Sequence, residues 1–247
     1  QLIVSCILIY FFDIRITHLG DLSFISFSEF NYFFSFFITL CSVIFLTNAF
    51  NFIDGIDGLC SGSLLISFST LLFIASYFQM VEVLIYYVPL IYALTIFLFF
   101  NLIPNFFIFR KIFLGDAGSN FLGFYLAWCI IIFSQNEIQI FPPIILISTI
   151  ILPVFDMLRV IMVRILRKKS IFRPDRSHIH FLLMDYGLSK HQILIICLAY
   201  SLICNYLCFM VYLNFNINWF IYFYLFLFIK FNLLLWFLKF FLKRDTI

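Results

Sequence analysis

The chain has 247 residues, of which 65% are apolar, 22% aromatic and only 11% charged, with a formal net charge of +3. Soluble domains carry about 25% charged residues, so a soluble fold of this size is excluded. Disorder is excluded too, because the chain is far too apolar to stay unfolded in water. What remains is an all-α membrane protein, a polytopic transmembrane helix bundle forming a single integral-membrane domain over residues 1–247. The apolar runs lack the alternation of barrel strands, which leaves helices as the way to satisfy the backbone in lipid.

About 20 apolar residues cross the hydrocarbon. Eight runs are predicted to do so: residues 1–12, 34–50, 62–80, 84–103, 119–134, 140–163, 193–213 and 217–240. The first is short, and no basic stretch precedes Leu2–Phe12, so it is not a signal peptide. A start at Gln1 instead suggests a chain whose natural beginning lies upstream. The seven cysteines are odd in number, sit mostly in the spans and form no Cys-x-x-Cys, so buried structural thiols are expected.

Eight spans divide the connections between two sides. Residues 51–61, 104–118, 164–192 and 241–247, with the adjoining helix ends, carry every Lys and Arg except Arg15 and Lys230. By the positive-inside rule this is the cytoplasmic side. Asp54, Asp57, Asp116, Asp156, Asp175, His178 and His180 fall there as well, whereas Asp13, Asp21, Glu29, Glu82 and Glu137 are scattered opposite. Acids at membrane depth are costly, which makes each a functional candidate.

Three groups stand out on that side. The first is Asn48-Ala-Phe-Asn51-Phe-Ile-Asp54-Gly-Ile-Asp57-Gly58, in which Asn48, Asn51, Asp54 and Asp57 recur every third residue. A helix would bring neighbours in that series near one face, and Gly55 and Gly58 would permit close approach by another segment or a ligand. A lone Asp-Gly is an ordinary turn; two of them behind two in-phase asparagines point to a site. The second is Phe113-Leu-Gly115-Asp116-Ala-Gly118-Ser119, ahead of a span beginning near Phe121. A carboxylate between glycines suits Mg²⁺, which shares its oxygen ligands with substrate phosphates; it suits a plain helix cap equally well.

The third group is Arg173-Pro-Asp175-Arg176-Ser-His178-Ile-His180-Phe181. Zinc would require further ligands, and none is placed to help; histidines among arginines suit phosphate oxygens. The arginines also set topology and attract anionic lipid. Asp156 and Arg159, three apart in a span that Pro153 is expected to kink, fit a structural ion pair or a catalytic role equally. His18 and His191 stand alone and are read as structural. Acids for a divalent cation and a basic, histidine-bearing loop indicate phosphoryl transfer, where positioning and charge neutralisation are most of the work. One reactant would be a lipid, since a water-soluble pair needs no membrane bundle.

In this order, the blocks Asn48–Ser61, Phe113–Ser119 and Pro174–Leu183, with Pro153–Arg167 between the last two, resemble the polyprenyl-phosphate N-acetylhexosamine-1-phosphate transferase family, of the glycosyltransferase family 4 type. The resemblance implies ten or eleven transmembrane helices, about eight of them present here, in a bacterial inner membrane with the active site on the cytoplasmic face. It implies Mg²⁺, with Mn²⁺ as a substitute. It also implies attack by undecaprenyl phosphate on the sugar-bearing phosphorus of a UDP-N-acetylhexosamine, in the closest branch UDP-GlcNAc. UMP would leave, and the lipid-linked sugar would start an envelope glycan.

By motif matching, Asp116 is then a Mg²⁺ ligand, and Asp54 and Asp57 are catalytic residues organising metal and nucleotide. Asn48 and Asn51 support them, while His178 and His180 bind the donor phosphates with help from Arg176. The implied partners are the UDP-sugar, undecaprenyl phosphate and the bilayer, with room for a homodimer and no nucleic acid.

Two departures from the family pattern bear on this. Its paired aspartates would lie upstream of Gln1, as in an N-terminally truncated member; a catalytically inactive truncated membrane protein is the alternative. Phe181 stands where the sugar-phosphate branch ends its His-x-His-His run. The phospho-N-acetylmuramoyl-pentapeptide branch has three consecutive histidines, but Ile179 interrupts such a run here, and Asp175-Arg176 favours the sugar branch. A secondary transporter would place its polar residues near mid-span, whereas these gather at one face.

Overall fold

The computed structural model of the protein describes residues 1–20, 30–102, 111–135, 143–171, 176–215 and 219–242. Arg110, Arg173, Pro174 and Asp175, together with Asp21, Glu29 and Glu137, lie outside these residues. Among the described residues every regular element is helical, in the order α1 (Leu2–Phe12), α2 (Tyr32–Ile53), α3 (Leu59–Tyr77), α4 (Val81–Leu102), α5 (Gly115–Ser134), α6 (Pro143–Ile147), α7 (Ile151–Leu166), α8 (Ile179–Asp185), α9 (Lys190–Asn214) and α10 (Trp219–Leu242). The all-α expectation holds. Each of the eight expected spans coincides with an apolar helix, and six of these are long and apolar enough to cross a membrane. Leu2–Phe12 and Tyr87–Leu102 are shorter apolar helices.

Helix starts follow local chemistry. The Asn31 side chain accepts a hydrogen bond from Phe34 N at 2.9 Å to cap α2, and Ser189 forms a reciprocal capping box with Gln192 at the start of α9. Some polar side chains inside the apolar helices are satisfied locally: Thr39 and Thr47 donate to the carbonyls of Ser35 and Val43, each at 2.7 Å.

Pro153 explains the break between α6 and α7, where a 3-10 turn covers Ser148–Ile150. Lacking an N–H, Pro153 cannot donate to the carbonyl of Thr149 four residues back. That oxygen instead accepts from Ser67 Oγ of α3 at 2.6 Å, a cross-helix bond that satisfies it inside the bundle. The expected kink is thus a short interruption just upstream of the proline, and it is tied to a neighbouring helix.

The core runs through α2, α3, α5 and α7, with Phe50, Phe68, Leu126 and Leu152 among the fully buried side chains. Gly123 lets α5 lie directly on α2: a Cβ there would stand 3.1 Å from Phe50 Cβ and 3.4 Å from Thr47 Cα. Small residues at such crossings are how membrane helices gain close packing without a hydrophobic drive between them. Large apolar side chains remain outward, as with Phe33 of α2 and Trp236 of α10, and suit contact with lipid. The expectation for cysteine holds at Cys60, Cys129, Cys197, Cys204 and Cys208, which are buried and free; Cys6 is half-buried and Cys41 is exposed.

Candidate active site

The close α2–α5 crossing brings the first two motif groups together. The spacing-of-three series stays helical only as far as Ile53; Asp54 is the C-cap of α2, and Asp57 lies in the turn before Gly58 starts α3. Gly58 takes φ +78°, a left-handed conformation in which any side chain is strained. Helix α5 begins at Gly115, earlier than expected, so Asp116 sits in its first turn. There its charge meets the positive end of the helix dipole. Asn51 spans the junction, donating from Nδ2 to Ser119 Oγ at 2.9 Å and to Asp116 Oδ1 at 3.4 Å.

Asp54 is close enough to the other two acids to feel their charge. Its carboxyl is pushed up to about 6, first by burial and then by repulsion from Asp116 and Asp57. Asp57 itself forms an ion pair with Lys111, so one of the three expected metal-organising acids is held by a cation of the chain. Asn48 is held by the Ile44 carbonyl and by Gln1 Oε1, at 2.7 and 2.9 Å.

The third group arrives through a residue whose role the sequence leaves open. Asp156 of α7 is 0% exposed. Its Oδ1 accepts from Arg159 Nη2 at 2.6 Å and from the backbone N of Ile179 at 2.9 Å, while its Oδ2 lies 2.9 Å from His178 Nδ1. Arg159 also donates to the Ser177 carbonyl. A buried ion pair thereby becomes the anchor of the histidine segment. The spacing of Asp156 and Arg159 carries the signal, but their partner lies 22 residues further on, beyond any helical period.

His180 is fully buried, and neither ring nitrogen has a hydrogen-bond partner among the described residues. Its ring stacks on His178 at 6.2 Å between centroids and packs over Gly55, where a Cβ would stand 2.0 Å from Nε2. The close approach expected at Gly55 is therefore made by a histidine. Burial holds the His180 ring down at about 4; attraction to Asp156 opposes this shift and repulsion from His178 adds to it. It is a neutral ring at neutral pH, able to give and accept one hydrogen bond. Arg176 is drawn elsewhere, lying over the Phe181 ring at 5.2 Å and 3.4 Å from Asp185.

A cavity of about 790 Å³ lies between α2 and α7. Asn48, Asn51, Asp54, Arg164, His178 and His180 line its polar end, and Cys41, Ile44, Phe45, Met157 and Ile161 its apolar end. The sequence gives Arg164 only a part in topology, yet it faces this space. A second, mainly apolar cavity of about 500 Å³ shares Cys41 and Phe45 with the first. Among the described residues, no three His, Cys, Asp or Glu side chains converge to hold a metal by themselves. Mg²⁺ does not need such a cage, since one or two carboxylates with water and substrate phosphate suffice. Asp54 and Asp116 fit that donor set.

Comparison with known proteins identifies the family. The family model described as Glycosyl transferase family 4 matches residues 1–134. A Bacillus subtilis (strain 168) protein named as a probable undecaprenyl-phosphate N-acetylglucosaminyl 1-phosphate transferase is 37% identical over 155 residues, 63% of this chain and 42% of that protein. The undecaprenyl-phosphate alpha-N-acetylglucosaminyl 1-phosphate transferase of Escherichia coli (strain K12) is 33% identical over 175 residues, 70% of this chain and 47% of its own length. The protein of the same name in Salmonella typhimurium is 31% identical over 161 residues, covering 64% and 43%. The chain thus spans less than half the length of each of these relatives. With the family model covering more than half of its residues, the chain belongs to glycosyl transferase family 4.

Proposed function

We propose that the protein transfers GlcNAc-1-phosphate from UDP-GlcNAc to undecaprenyl phosphate at the cytoplasmic membrane face, releasing UMP and a lipid-linked sugar that starts an envelope glycan. One observation carries this reading: a single cavity joins a polar end of acids, amides and histidines to an apolar end between two membrane helices. That pairing fits a reaction between a nucleotide diphosphate and a lipid phosphate. Family membership and the names of the relatives support the same reaction class. The one-sided Lys and Arg distribution supports the cytoplasmic face of a bacterial inner membrane.

In this reading the polyprenyl chain lies along Cys41, Phe45, Met157 and Ile161, which presents its phosphate to the polar end. An oxygen of that phosphate forms a bond to the sugar-bearing phosphorus of the donor. The bond from that phosphorus to the bridging oxygen breaks, and UMP leaves with the oxygen and its electron pair. Asp54 and Asp116 would hold Mg²⁺, which when bound neutralises charge on the transferring oxygens. Asn51 holds Asp116 in place. Asp57, paired with Lys111, stiffens the turn that carries Asp54. His178 and Arg164 line the side of the cavity that receives the phosphates, where the Arg164 guanidinium stabilises the developing charge and His180 packs behind them over Gly55.

The test is a membrane assay with labelled UDP-GlcNAc. Wild-type protein should form lipid-linked product that depends on both undecaprenyl phosphate and Mg²⁺. Asp116→Asn should lower the rate by about 100-fold or more. Product formed without the polyprenyl phosphate, or near-normal turnover in the variant, would overturn the reading.

A further inference from the structure

Asp156 differs from Asp54 in not lining the cavity. It is also the one buried acid among the described residues, yet it is hydrogen-bonded to the segment that supplies both histidines. Its two oxygens receive a guanidinium, a backbone N–H and a ring nitrogen. A carboxylate so engaged acts as an acceptor on both oxygens, so the ring nitrogen facing it must be the one that carries hydrogen.

We infer that Asp156 is a positioning residue that fixes the tautomer and orientation of His178 and sets the entry angle of α8. With Nδ1–H committed to Asp156 Oδ2, the neutral His178 ring carries its lone pair on Nε2, the nitrogen left for the cavity. A proton taken up at Nε2 is balanced from behind by the carboxylate, and the ring can then donate to a phosphate oxygen. Carboxylate–histidine pairs elsewhere hold imidazoles in this way, and losing the carboxylate costs far more than losing one hydrogen bond, because the tautomer changes.

The second oxygen does a different job. Oδ1 accepts from Ile179 N, one of the otherwise unpaired amides at the first turn of α8. The His178 side chain provides no cap for that helix, so Asp156 supplies one from another helix. Arg159 closes the arrangement by bonding both Asp156 and the Ser177 carbonyl, the residue just before His178. Backbone and ring are thus fixed by the same buried pair. Cutting either partner would leave the other buried without compensation.

The role in catalysis rests on the proposed transfer reaction; the tautomer does not. A first experiment therefore uses ¹⁵N-labelled histidine in the wild-type protein, with His178→Ala to assign the signal. The expected result is a His178 ring protonated at Nδ1. A ring carrying hydrogen only at Nε2 would overturn the inference whether or not the protein proves to be a transferase, and needs no Asp156 variant to fold.

The second is a double-mutant cycle with UDP-GlcNAc as the probe. Asp156→Asn should reduce kcat/KM for the donor by at least about 10-fold, with the acceptor KM unchanged. Adding Asp156→Asn to His178→Ala should slow the enzyme by clearly less than Asp156→Asn slows the wild type, the remainder being the part that acts through the α8 cap. Losses that multiply would show that Asp156 acts independently of His178 and would refute the proposal. Absence of transfer by wild-type protein would instead defeat the reading of function and leave the tautomer result standing.

Discussion

Asp54 shows how much of a site can depend on one residue's surroundings. With its carboxyl raised to about 6 by burial and two neighbouring acids, it binds a proton below that pH and is ionised above it. A cation must displace the proton at low pH but not at high pH. The Mg²⁺ concentration giving half-maximal transfer should therefore rise by roughly tenfold for each unit below about pH 6, and should level off above about pH 7. A Mg²⁺ requirement constant from about pH 5 to about pH 8 would contradict the assignment of Asp54. Asp54, Asp116 and the histidines are visible in the sequence because acids and imidazoles are rare in so apolar a chain. That Asp57 pairs with Lys111 and Arg176 turns to Asp185 is not visible there, since charge alone does not say which neighbour a long side chain meets. Asp156 is visible but ambiguous, because its decisive contact is with a distant loop.

Among the elements, the pairing of α2 and α5 is the one on which the site depends. Asn51 of α2 and Ser119 and Asp116 of α5 can meet only because Gly123 allows the two backbones to approach. Gly123→Leu should force the helices apart and destabilise the protein by about 1–3 kcal/mol, as overpacking does. Transfer activity should fall further than the unfolded fraction explains, because the Asn51 contacts lengthen; a stability assay in detergent beside the activity assay separates the two. Helix existence is readable from apolar runs of membrane length, and helix ends are less so. Asp57 falls outside the series suggested by its spacing because the α2 helix stops at Ile53, where a Gly-rich turn takes over. The start of α5 reads late in the sequence, since Gly115 and Gly118 resemble a loop until their place at a helix terminus is known.

At the scale of the whole molecule, six long apolar helices and two shorter ones among the described residues bring the first and third motif blocks to one shared cavity, with the second joined to it through Asn51. That convergence is legible as a bias of charge towards one set of connections. The shape of the cavity is not, because the apolar half of it is lined by side chains indistinguishable in sequence from those that face lipid. Cys41 illustrates this: expected as a buried structural thiol, it is open and borders both cavities. The presence of acids, amides and histidines beside apolar side chains in one cavity is the basis of the proposal that sugar and phosphate travel together to a lipid. The most direct measurement uses UDP-GlcNAc carrying ³²P at the sugar-bearing phosphorus, incubated with the protein, Mg²⁺ and undecaprenyl phosphate. The account predicts that the label enters the lipid fraction with the sugar, matched by release of UMP; sugar in the lipid with the label left on released UDP would contradict it.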